Sequence, residues 1–164
     1  QPPRLSQATA VTRVGQNWGD WAPWTPTLVA TTTSPTLGTG ATQTGSESVE
    51  GTVVHWKARI VLGAGATTGE GHYQIPLPYD PALEHVTVGH GYVAEAETPH
   101  QPWIVTVALD PTLAATVSAD PTRPFLFLDT RSRAVNVVGA DNPGEWGAGD
   151  IIDLAGFYEA ATAL

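Results

Sequence analysis

The chain has 164 residues, enough for one ordinary domain, and 7 Lys+Arg against 16 Asp+Glu give it a formal charge of −9. The absence of cysteine excludes disulfide frameworks, thiolate metal sites and thiol nucleophiles. Acidity without a Lys/Arg cluster argues against nucleic acid as a partner, and no apolar run approaches the roughly 20 residues of a membrane span, so membrane insertion is not expected either.

Residues 1–23 read as an extended N-terminal arm and 24–164 as the folded domain. The chain begins Gln1-Pro2-Pro3 and contains no methionine, so it reads as the ordered or processed part of a longer polypeptide. Where the arm meets the domain, Trp18, Trp21 and Trp24 crowd a segment broken by Gly19 and Pro23. Three such rings do not enter one small core from one strand. They either strap the open end of the domain or pack on a neighbouring subunit, which makes Trp18, Trp21 and Trp24 candidate interface residues.

Residues 31–45 are dominated by Thr, Gly and Ser and read as a long surface loop or irregular edge. The clearest strand follows at 52–62, TVVHWKARIVL. Val54, Trp56, Ala58, Ile60 and Leu62 fall on one face, with His55, Lys57 and Arg59 on the other. Residues 71–77 alternate likewise, with Tyr73, Ile75 and Leu77 on one side. Further strands are predicted at 86–94, 103–109, 125–128, 134–138 and 151–158. Asp-Pro pairs at Asp80-Pro81, Asp110-Pro111 and Asp120-Pro121, and the run Asp141-Asn142-Pro143-Gly144, supply turns between them. No window keeps a helical period over ten residues. The pattern predicts an all-β, antiparallel β-sandwich of jelly-roll type, preceded by the extended arm.

The search for chemistry yields little. His55, His72, His85, His90 and His100 form no helical ligand pair and read as solvated strand histidines, so no metal site is assigned. Glu95 and Glu97 would share a strand face but read as a solvated acidic edge, while Asp150 and Asp153 read as strand-entry and exposed positions. No G-x-S-x-G elbow or phosphate loop is present, and Asp141 to Glu145 departs from the calcium-loop pattern. No catalytic residue, cofactor or metal is therefore assigned, and no enzymatic activity is expected.

Four motifs in order nevertheless resemble a known family. They are Trp24-Thr25-Pro26-Thr27-Leu28 with Ser34-Pro35-Thr36-Leu37-Gly38-Thr39-Gly40, then the strand at 53–60, then Gly71-His72-Tyr73-Gln74-Ile75-Pro76-Leu77-Pro78 with Pro81. The fourth is Trp146-Gly147-Ala148-Gly149-Asp150-Ile151-Ile152-Asp153-Leu154-Ala155-Gly156-Phe157-Tyr158-Glu159. Together they resemble a β domain of phage and prophage tail-fibre and minor tail proteins. The resemblance implies a jelly-roll-like virion knob on the exterior of the particle, assembled as a homotrimer among other virion proteins and carrying no catalytic residues.

On this reading the expected task is attachment to the host surface, with a cell-surface glycan as partner. Trp103 and Trp146 are the candidate surface-recognition residues, against core or subunit packing for both. Two alternatives stand beside it: a capsid decoration protein that stabilises the phage head, and a free carbohydrate-binding module.

Overall fold

A computed structural model describes residues 20–84, 86–96, 102–128, 136–140 and 146–162. Within them the strands are β1 (Ala22–Trp24), β2 (Val29–Ala30), β3 (Thr42–Glu50), β4 (Val53–Val61), β5 (Tyr73–Gln74) and β6 (Val86–Ala94). They continue with β7 (Trp103–Leu109), helix α1 (Pro111–Thr116), β8 (Phe125–Leu128), β9 (Asn136–Val137) and β10 (Ile151–Glu159). The pairings are antiparallel, in the order β1-β3-β4-β10-β6-β7-β8-β5-β2 with β9 added to β8. The sheet curls into a half-barrel, and the all-β antiparallel architecture expected from the alternation is the one adopted.

β4 carries the core as its pattern predicts. Val54, Trp56, Ala58 and Ile60 are buried, whereas Lys57 and Arg59 are exposed and His55 lies half-buried beside them. β10 runs along β4 and adds Ile152, Leu154 and Tyr158 to the same face. Trp56 donates its indole N–H to the Val88 carbonyl at 3.0 Å. That contact depends on a bulge: the β6–β7 register slips between Thr87 and Gly89, and Val88 lies in the core. The Trp56 ring rests on Gly89, where a Cβ would lie 2.7 Å from Cζ2.

One long ribbon organises the sheet. Thr42 faces Val61, Thr39 faces Ala64, Thr36 faces Thr67, Thr33 faces Glu70 and Ala30 faces Tyr73. Each step of three along one arm matches a step of three along the other, so 29–50 and 53–74 keep a single register. Its two ends lie at opposite ends of the sheet, β3 and β4 at one side and β5 and β2 at the other. The crossing between them is where glycines with positive φ gather, among them Gly38 at 84° and Gly65 at 71°. A Cβ on Gly38 would lie 2.6 Å from the Gly63 carbonyl, so the close approach of the arms requires glycine there.

Of the two readings of 31–45, a long surface loop or an irregular edge, this corrects the loop. Residues 42–45 belong to β3, and the preceding Thr-rich stretch is held in the ribbon by bridges and by a Thr36–Thr67 hydroxyl contact at 2.7 Å. The chain before and within β10 follows the other edge of 53–74. Tyr73 N–H donates to the Val138 carbonyl, Gly149 N–H to Leu62, and Leu62 N–H to Asp150. A second correction concerns Asp110-Pro111, which opens a six-residue helix rather than a turn. Asp110 accepts a hydrogen bond from Leu113 N–H at 2.8 Å, and proline stands at the first helical position.

Candidate interaction surface

At the end of the sheet where β10 finishes, Tyr158 locks the chain that follows β5. Its hydroxyl donates to the Tyr79 carbonyl at 2.9 Å and accepts from Tyr79 N–H at 3.0 Å. The Tyr79 hydroxyl donates to Glu47 Oε1 at 3.1 Å. Burial pushes the Tyr158 hydroxyl well above the usual tyrosine range, and the hydrogen bond to Glu47 raises Tyr79. Pro81 then bridges to Ala160, and Ala82 N–H donates to the Glu159 carbonyl, laying residues 80–82 beside the end of β10.

These contacts frame a groove of about 300 Å³, with Val53, Pro81, Ala82, Val86, Leu109 and Phe157 in its walls. Tyr158 also lines it, and Glu84 and Glu159 bring carboxylates to it; none of its described lining residues is basic. Phe157 is 65 % exposed, with Val86 and Leu83 exposed as well. On the outer face the His55 ring lies 5.9 Å from that of Phe157, centroid to centroid. An exposed phenylalanine within a paired strand, beside an apolar groove, is the kind of surface that partners cover.

The tryptophans singled out in the sequence separate into different environments. Trp18 lies outside the described residues. Trp21 is 46 % exposed, with the Lys57 ammonium 4.3 Å from its ring centroid. Trp24, in β1, packs against the core, lies over Gly45 and donates its indole N–H to the Lys57 carbonyl at 3.1 Å. Pairing with β3 continues through Ala22, so the end of the arm, as the sequence divided it, joins the sheet. Trp103 is 38 % exposed at the start of β7, beside the exposed Ile104. Trp146 is 8 % exposed, donates to the Gly139 carbonyl at 2.9 Å and packs 5.7 Å from the Tyr73 ring. It is a core residue, which removes it from the surface-recognition candidates.

The polar candidates have structural work. Asp150 stands at the entry of β10, as expected from the sequence, and is buried there; it accepts from Ala96 N–H at 2.8 Å and from Gly147 N–H at 2.7 Å. Asp153 pairs with Arg59 at 2.9 Å across β10 and β4. His55 and His72 are half-buried and His90 is exposed; His85, His100, Glu97 and residues 141–145 lie outside the described residues. Among the described residues no group of three His, Asp or Glu is arranged to hold a metal ion. The sequence offered no signal for the groove, because its walls come from four separated stretches of chain. No protein-family model, curated protein or solved structure matches the chain.

Proposed function

We propose that this chain is a non-enzymatic structural domain of a bacteriophage particle, of tail-fibre or minor-tail type, borne on the exterior and engaged in attachment to the host surface. The observation that carries the reading is where the family-like motifs fall in the fold. Leu28, Trp56, Tyr73, Ile75, Trp146 and Tyr158, drawn from the motifs, are all buried in one core. Gly38 lies at the ribbon crossing, and Asp150 ties the entry of β10 to Ala96 and Gly147. The motifs thus encode a scaffold, which is what a knob domain with variable exposed surfaces needs. The described carboxylates with named partners serve turns and strand pairs, which supports a structural over a catalytic role.

Attachment is assigned to Trp103, 38 % exposed at the start of β7, whose ring offers apolar surface for stacking on a sugar. The test is competition for adsorption. Host cells preincubated with the purified chain are expected to adsorb fewer particles, and Trp103→Ala is expected to abolish the competition while leaving the unfolding midpoint nearly unchanged. Undiminished adsorption at saturating chain concentration would overturn the attachment reading.

A further inference from the structure

Strands β3, β4, β10 and β6 lie side by side, and their outward residues form ordered rows. Thr44, Arg59, Asp153 and Tyr92 make one row, and Ser46, Lys57, Ala155 and His90 the next. His55 and Phe157 follow beside Ser48, and Glu50, Val53 and Glu159 close the face where β10 ends. Alternate residues along a strand stand about 6.6 Å apart, and neighbouring strands about 4.8 Å apart.

The charges on this face are close to balance and sorted along the strands. The chain carries 16 acidic residues against 7 basic ones, yet here Glu50, Asp153 and Glu159 stand against Lys57 and Arg59. Two copies repel on average, and a nearly balanced face escapes most of that repulsion. Arg59 and Asp153 satisfy each other at 2.9 Å. The Lys57 ammonium lies 4.3 Å over the Trp21 ring and has no carboxylate partner among the described residues. Glu159 meets the Thr52 hydroxyl at 3.4 Å. An acidic row therefore closes the face, Lys57 and His90 stand two rows away, and Phe157, 65 % exposed, lies between them.

That order makes the face complementary to itself. A two-fold axis lying between two opposed faces and crossing the strands at Phe157 lays each acidic row over the Lys57 row of the other copy. Glu159 then stands over Ala155, the small exposed residue paired with Lys57 on one side and His90 on the other. We propose that a second copy of this chain covers the outer face of β4 and β10 in this way. Glu159 of each copy is seated between Lys57 and His90 of the other, and the two Phe157 rings pack together at the axis.

The test is sedimentation equilibrium of the full chain, comparing wild type, Lys57→Glu, Glu159→Lys and the double exchange. Few residues meet, so the wild type is expected to dimerise weakly, with Kd on the order of 0.1 mM. Each single change sets like charges against each other on both sides of the axis and is expected to raise Kd at least about tenfold. The double exchange reverses both members of each pair and is expected to return Kd to within about threefold of wild type. A wild-type chain that stays monomeric up to about 1 mM overturns the proposal. So does a dimer or larger assembly that neither single change weakens, because another surface then holds it. Losses in the single variants that the double exchange leaves unrepaired overturn the pairing of Glu159 with Lys57.

Discussion

Trp56 joins β4 to the bulge in β6. Its ring fills the core above Gly89, and its N–H satisfies the Val88 carbonyl that the β6 bulge brings within reach. Replacing it by phenylalanine removes the second ring and leaves that carbonyl unpaired. Trp56→Phe is therefore expected to cost about 2–4 kcal/mol, read from equilibrium denaturation in urea. A cost under about 0.5 kcal/mol, the range of an ordinary surface change, would show that the indole contact contributes nothing.

Tyr158 has a different signature, because its hydroxyl both donates and accepts. Tyr158→Phe strips two backbone partners from Tyr79 and is expected to destabilise by about 1–3 kcal/mol near neutral pH. In the unfolded chain the phenol ionises near pH 10, while in the folded chain burial holds the proton to higher pH. Above about pH 10 the unfolded state therefore binds fewer protons than the folded one, and stability falls as pH rises. The wild-type chain is expected to lose stability on this alkaline limb more steeply than Tyr158→Phe, as measured by thermal unfolding across the range. Parallel limbs would contradict the assignment.

At the scale of elements, the ribbon crossing makes a claim that two glycines separate. Gly38 and Gly40 both have positive φ, near 84° and 80°, but a Cβ on Gly38 meets backbone whereas one on Gly40 meets nothing within 4 Å. Gly40→Ala is expected to cost about 1–2 kcal/mol from left-handed backbone strain alone. Gly38→Ala carries the same strain and forces the two arms apart as well, so its cost is expected to exceed that of Gly40→Ala by more than 1 kcal/mol, again by urea denaturation. Equal costs would mean that the close approach does not hold the ribbon together.

The same elements show what a sequence reveals and what it hides. β4, β6, β7, β8 and β10 were legible because their inward positions are apolar and their bounds are set by turns. β3 was not, since the residues it places opposite Ile60, Ala58 and Trp56 are Gln43, Gly45 and Glu47. Each of those has a long-range reason. Gln43 donates to the Pro26 carbonyl, Gly45 leaves room for Trp24, and Glu47 accepts from Tyr79. A binary pattern fails where the inner face of a strand is covered by a folded-back segment instead of by aliphatic core. Helix α1 escaped because six residues are too few to display a period. For Trp146 the sequence leaves surface recognition and core packing both open, and the approach of Tyr73 and Gly139 decides for the core.

At the scale of the molecule, the described residues of one curled sheet include the exposed Trp103 at the start of β7 and an apolar groove beside the exposed Phe157. The attachment reading proposed above assigns Trp103 to a host-surface ligand. Neither exposure was readable from composition, because each depends on which residues the sheet leaves uncovered. The formal charge of −9 sets copies of such a domain repelling one another on average. If the attachment residue is set apart from the scaffold, Trp103→Ala and Trp56→Phe should act independently, the first on adsorption and the second on stability.

The central claim is that this domain serves on the tail of a phage particle. The most direct measurement is its copy number in purified particles, by quantitative mass spectrometry against the major capsid protein. The account expects few copies, on the order of the few to few dozen chains that a tail or its fibres carry. A ratio near one per capsid subunit would contradict it and make the chain a head-decoration protein. Absence from the particles would remove both virion readings and favour a free carbohydrate-binding module.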